Sequence, residues 1–204
     1  MKENFGENPK PKAEVRMDTL ETLQTIEYEV AADIEPLLRH INNDLGIQLG
    51  PRPEGLHVTI MTQRETPVFS RFNETQLEEL RAIESELARG EGIEVKGIGF
   101  IDGGQTENIR PADRAKKTCF LALGIPRLQA FRRSLGLREK DFHITLGFVG
   151  GDISMGVVGK DPKGKDILRP IPKKADHEFD RYLSELPELS FGKLSGEEKQ
   201  KPRS

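Results

Sequence analysis

Two periods of apolar residues alternate along this chain, and the switches between them mark out its elements. From Thr25 to Ala32 and from Thr118 to Ile125 the apolar positions are closely set, which predicts strands. Each run is followed by helical spacing, from Ile34 to Ile41 and from Pro126 to Arg133, closing at Leu45-Gly46 and Leu135-Gly136. Asp33 is placed to cap the first helix, Pro126 suits the first turn of the second, and both glycines fit the left-handed position past a helix end. Beyond each helix lies a short alternating string, His57-Val58-Thr59-Ile60 and His143-Ile144-Thr145-Leu146. Side chains alternate between the faces of a strand, so each string puts His and Thr on one side and its apolar pair on the other.

The chain therefore reads as an internal duplication of strand, helix and His-x-Thr strand, a period that signals paired lobes rather than a solenoid. Downstream of the first string, Asn73 and Gln76 form a capping-box signature ahead of Leu77, Leu80, Ile83 and Leu87 at helical spacing. Ile93, Val95 and Ile98 to Ile101 then predict a strand. Downstream of the second string, Asp176 to Leu186 has a helical pattern and Leu189 to Leu194 a strand pattern, while Gly150 to Lys174, rich in Gly, Pro and Lys, predicts a long loop. The expected organisation is a domain over 19–194, with lobe 1 at 19–101 and lobe 2 at 118–194. Residues 1–18 and 195–204 lack apolar periodicity and are expected to be disordered tails.

A length of 204 residues suffices for one real core. A formal net charge of −3 argues against a protein that coats long nucleic-acid duplexes, since that needs many phosphate-neutralising cations on one surface. Lys and Arg do cluster at Arg110, Arg114, Lys116 and Lys117, at Arg132, Arg133, Arg138 and Lys140, and at Lys160, Lys163 and Lys165. Most of these read as solvated surface; those flanking the second His-x-Thr string are candidates for holding a polynucleotide end. No apolar run has the length of a membrane span and no leader pattern opens the sequence, so no membrane partner is expected and the cytoplasm is the expected compartment. The single cysteine, Cys119, rules out an internal disulfide and sits in an apolar strand pattern as a small buried hydrophobe. A monomer is expected.

Of four histidines, two occupy the same place in the same motif. Histidine titrates near neutrality, so a pair can be poised with one neutral and one protonated, the first activating a nucleophile and the second protonating a leaving oxygen. In-line displacement at phosphorus needs such a pair on opposite sides of the phosphate, and two threonine hydroxyls can donate to the non-bridging oxygens. This chemistry calls for no metal and no cofactor. A metal site on His57 and His143 with Asp102 or Asp141 is the alternative, but it leaves the repeated hydroxyl unexplained. The string Gly159 to Lys165 has the spacing of a phosphate-binding loop, yet Asp166 stands where Ser or Thr would hold magnesium, and Pro170 and Pro172 spoil a following helix. His40 and His177 receive no role.

The paired strings resemble those of the 2H phosphoesterase superfamily, which includes RNA 2′,3′-cyclic phosphodiesterases and the proteins called 2′-5′ RNA ligases. The longer string Phe142 to Phe148, followed by Asp152-Ile153, is similar to the Swiss Army Knife branch associated with RNA repair. The resemblance implies a bilobal, duplicated α/β (α+β) fold in which two antiparallel sheets face a central groove with helices outside. It implies His57 and His143 as the catalytic acid–base pair and Thr59 and Thr145 as phosphate-binding residues, with Gly147 on the same face leaving room for substrate. The expected partner is an RNA end or a small cyclic nucleotide, hydrolysed at its 2′,3′-cyclic phosphate. A module that binds RNA ends or nucleotides without turnover, and a 2′-5′ RNA ligase, are the competing readings.

Overall fold

Local chemistry sets the helix boundaries much as the pattern predicts. A computed structural model describes residues 23–62, 65–69, 71–106, 109–153, 157–160, 166–168 and 177–198. In it, α1 (Glu35–Leu45) starts where Asp33 Oδ1 accepts the Glu35 N–H at 3.2 Å and ends at Gly46, whose φ of 63° is left-handed. Helix α2 (Thr66–Phe69) is a single turn. Helix α3 (Glu74–Ala88) opens on a capping box: Asn73 Oδ1 accepts the Gln76 N–H, and Gln76 Oε1 accepts the Asn73 N–H, both at 2.9 Å. Helix α4 (Pro126–Ser134) carries its proline in the first turn.

Six strands run side by side in the order β4 (Glu94–Asp102), β5 (Lys117–Gly124), β6 (Phe142–Val149), β3 (Leu56–Met61), β1 (Leu23–Ala31) and β9 (Ser190–Glu198), each antiparallel to its neighbours. A seventh, β2 (Gly50–Pro51), pairs with the end of β6. The order has a consequence for the expected lobes. Each half contributes a strand–helix–strand unit, β1–α1–β3 and β5–α4–β6, but the next strand of each half crosses to the other's outer edge, β4 onto β5 and β9 onto β1. Instead of two sheets facing each other, these seven strands from both halves form one sheet, joined where Val58 of β3 pairs with Ile144 of β6.

One face of this sheet carries the main core. Val58, Ile60, Ile144 and Leu146 pack there with Leu37, Leu38 and Ile41 of α1, Leu80, Ile83 and Leu87 of α3, and Leu128 and Phe131 of α4, all buried. On β5 the alternation is visible directly: Cys119, Leu121 and Leu123 join this core, whereas Phe120 and Ala122 join Ile101 and Ile153 in a smaller cluster.

Three expectations change. Strand β9 continues to Glu198, with Ser195 paired to Glu27 and Gly196 to Ile26, so 195–198 are ordered by the edge of β1 rather than lying in a tail. The expected loop over Gly150 to Lys174 contains two antiparallel strands paired with each other, β7 (Val157–Lys160) and β8 (Asp166–Leu168). Gly159 and Lys160 are thus strand residues, and a second strand stands where a phosphate-binding loop would need a helix. The helical pattern near Asp176 becomes a 3-10 helix over His177–Glu185, burying Phe179 and Tyr182 at the three-residue spacing that geometry favours. Residues 1–18 and 199–204 lie outside the described residues.

Candidate functional site

Pairing of Val58 with Ile144 decides where the chemistry sits. Residues directly opposite in antiparallel strands share a face, and extending this register by one residue each way sets His57 opposite Thr145 and Thr59 opposite His143. Val58 and Ile144 are fully buried on the core side, so both histidines and both threonines stand on the other face at the middle of the sheet. The two histidines are diagonal neighbours, a relation that separates side chains by about 7–8 Å, enough for one phosphoryl group between them. His57, Thr59 and His143 are half-buried and Thr145 is buried. Nδ1 of His143 lies 3.0 Å from the carbonyl oxygen of Asp141, and an Nδ1–H donating there fixes the ring. The Phe120 ring stands edge-on to His143 at 6.2 Å between centroids.

Both motif strands break their alternation at the same point. Thr59 pairs with Glu27 but Met61 with Ile26, leaving Ile60 extra; Thr145 pairs with Phe120 but Gly147 with Cys119, leaving Leu146 extra. Each is a β-bulge immediately after the threonine, and it turns the next two residues toward the core. Gly147 is therefore not on the histidine face. A Cβ there would lie 2.8 Å from the Gly50 carbonyl oxygen and 3.0 Å from Leu38 Cδ2 of α1, so its missing side chain accommodates the helix and β2, not substrate.

A family model described as Swiss Army Knife, 2H phosphoesterase domain matches residues 29–154, more than half of the chain and both motifs. The chain belongs to this family. No match is found among curated proteins or among solved structures. Membership makes this 2H domain a phosphoesterase and supports phosphodiesterase-type chemistry in general.

Around the motifs, the 2H face is furnished by residues that the sequence pattern does not single out. Glu29 of β1 pairs with His57 and is exposed, whereas His143 pairs with Ala122 on its other side. Oδ2 of Asp152 accepts from Thr145 Oγ1 at 3.1 Å, and its Oδ1 accepts from Thr118 Oγ1 at 3.2 Å, which in turn accepts the Ile153 N–H at 3.0 Å. Arg52 approaches the same Asp152 Oδ2 with Nη1 at 3.5 Å. The only available signal for this group is Asp152 itself, six residues beyond Leu146; Arg52 follows from register. Pro51 pairs with Gly147 and Val58 with Ile144, so seven residues along the edge chain cover what three cover on β6. The surplus four, Arg52 to Gly55, are looped out between β2 and β3 and closed by the Gly55 N–H donating to the Arg52 carbonyl at 3.1 Å.

The basic clusters are mostly committed elsewhere. Arg132 is buried, donating from Nη1 to the Ile60 carbonyl at 2.5 Å and from Nη2 to Glu65 Oε1 at 2.7 Å and the Arg138 carbonyl at 2.9 Å. It clamps β3 rather than a polynucleotide. Burial works to raise the Glu65 pKa, but the hydrogen bonds from Arg132 and Thr62 outweigh it and hold the carboxyl below the usual glutamate range. Lys116 and Arg110 both pair with the buried Asp113, Lys117 pairs with Asp102, and Arg133 with Glu139. Asp102 is thus tied to a lysine, and no three His, Cys, Asp or Glu among the described residues are grouped to hold a metal. Cys119 is buried, its thiol pushed up to about 12. Among the described residues, the cavities of about 330 and 390 Å³ include none of the four motif residues; the first abuts Asp141 and Phe142 at the start of β6. Phe69 and Phe72 are core, and His40 pairs with Asp44 and Glu185 on an exposed face. No described helix is long and apolar enough to cross a membrane.

Proposed function

We propose that this 2H domain is a metal-independent phosphodiesterase that opens the 2′,3′-cyclic phosphate of an RNA end or a small cyclic nucleotide. What supports the reading is the diagonal of His57 and His143 on one sheet face, with Thr59 and Thr145 on the crossing diagonal. A phosphoryl group held at the crossing has an imidazole on either side. The neutral histidine takes a proton from water as the water oxygen bonds to phosphorus. The bond from phosphorus to one ring oxygen breaks, and the protonated histidine delivers its proton to that oxygen. A role in RNA processing or repair accompanies this substrate.

Purified protein incubated with RNA ending in 2′,3′-cyclic phosphate and with cyclic mononucleotides, with and without chelator, tests it. Products are identified by mass and phosphatase sensitivity. The expected result is conversion that survives chelation and disappears in His57→Ala and His143→Ala. Binding of RNA ends with no conversion would make the face a recognition module, and joining of ends through a 2′-5′ bond would make it a ligase running the transesterification in reverse.

A further inference from the structure

We infer that the cavity beside His143 is a base-recognition subsite for the nucleotide whose cyclic phosphate is opened, and that it takes guanine. The inference rests on the phosphodiesterase reading and narrows its substrate. The cavity, of about 330 Å³, is within the size range of small-molecule sites. It borders the histidine face directly, because Ala122 in its wall is the cross-strand partner of His143. Elsewhere that face is filled: Phe120, Ile101 and Ile153 cluster on it toward β4, and past the motif threonine Thr118 and Thr145 both bond Asp152.

Gly124 forms the floor. It pairs with Glu94 of β4, and extending the β5–β6 register by one residue sets Asp141 on its other side. The three lie in a row two residues, about 7 Å, along from the row of Ala122 and His143, an offset that a ribose spans between phosphate and base. The missing side chain opens this row: a Cβ at Gly124 would stand 2.7 Å from Lys96 Cε and 2.8 Å from Glu94 Oε2. Lys96, the extra residue of a bulge in β4, thus lies across β5 toward β6. Among the described residues the side chains of Lys96, Glu94 and Asp141 make no ion pair or hydrogen bond, whereas Arg133 and Glu139 in the same wall pair with each other at 2.8 Å. The Gln129 amide fixes the end wall, donating to the Lys140 carbonyl at 2.6 Å and accepting its N–H at 3.2 Å. Two carboxylates would repel a second phosphate; together with one ammonium they offer two acceptors and one donor. Guanine presents the complement on one edge, since its O6 accepts while its N1–H and 2-amino group donate.

Turnover of the 2′,3′-cyclic phosphates of guanosine, adenosine, cytidine and uridine is the first test. The native protein is expected to favour the guanosine compound by about tenfold in kcat/KM, through KM, because a base contact is made alike in the ground and transition states. Asp141→Asn and Glu94→Gln, which keep shape and remove charge, are expected to erase most of that preference. Gly124→Ala, whose Cβ meets only the flexible ends of Lys96 and Glu94, is expected to do so by crowding the floor. The second test is NMR titration with guanosine 2′-monophosphate and uridine 2′-monophosphate, where the guanosine compound is expected to bind about tenfold more tightly and Asp141→Asn to level the two. Equal turnover of all four compounds that depends on both histidines, or a guanine preference that survives these substitutions, overturns the subsite and leaves the phosphodiesterase reading standing. Absence of turnover with guanosine binding that depends on Asp141 does the reverse, and absence of both overturns the two together.

Discussion

The same four-residue motif occurs on β3 and on β6, with the same bulge after its threonine, yet the neighbours differ in kind. On β3, His57 lies across from the carboxylate-bearing Glu29 of β1, and the strand is clamped from behind by the guanidinium of Arg132 on the Ile60 carbonyl. On β6, His143 lies across from Ala122 and beside the Phe120 ring, and Thr145 is buried and bonded to Asp152. Two residues past the threonine, β3 has Met61, buried in the core, and β6 has Gly147, where α1 and β2 leave no room for a side chain. Equal motifs thus carry equal placement but unequal environments.

The largest test removes either imidazole. His57→Ala or His143→Ala is expected to lower the turnover rate by roughly 10²–10⁴-fold, and the double variant by far less than the product, because both act in one step. The pH–rate profile is expected to be bell-shaped, with its arms set by the coupled histidine pair. A profile that rises without a second arm would dissolve the pairing of the two motifs.

Next in size is the clamp behind β3. Arg132→Met leaves Glu65 partly buried without its partner and is expected to cost about 3–5 kcal/mol in chemical denaturation. The pH dependence follows from the lowered pKa of Glu65. The native clamp contributes stability above the ordinary glutamate pKa, and that contribution is lost as pH falls through the lowered folded value. Arg132→Met is expected to flatten this acid-side loss.

On β6, Thr145→Val removes a buried donor from Asp152 and is expected to cost about 1–3 kcal/mol, with a smaller loss for the half-exposed Thr59→Val. Thermal melts of the two variants compare the strands directly. The smallest expected effect is at Cys119, behind the β6 bulge: its buried thiol is expected to stay unmodified by a thiol reagent in the native protein and to react on unfolding.

Local physics made much of this legible in the amino-acid order. Alternation alone puts His57 with Thr59 and His143 with Thr145, and the buried Val58, Ile60, Ile144 and Leu146 show why: four apolar side chains on one face fix the other. The capping box at Asn73 and Gln76 and the left-handed Gly46 are equally local, since their partners lie within a turn. What the sequence did not contain was the pairing between strands 86 positions apart, at Val58 and Ile144, which merges the two halves into one sheet and brings the motifs together. The bulges escaped for the same reason. They exist only relative to β1 and β5, and they reverse the direction that simple alternation assigns to Gly147. Arg132 reads as one more surface cation until α4 is packed against β3, and Arg52 comes within reach of Asp152 only because four residues are looped out between two strands that share an edge of β6. Periodicity is a property of neighbours along the chain; register and the burial of a charge are properties of neighbours across it, and only the folded sheet supplies those.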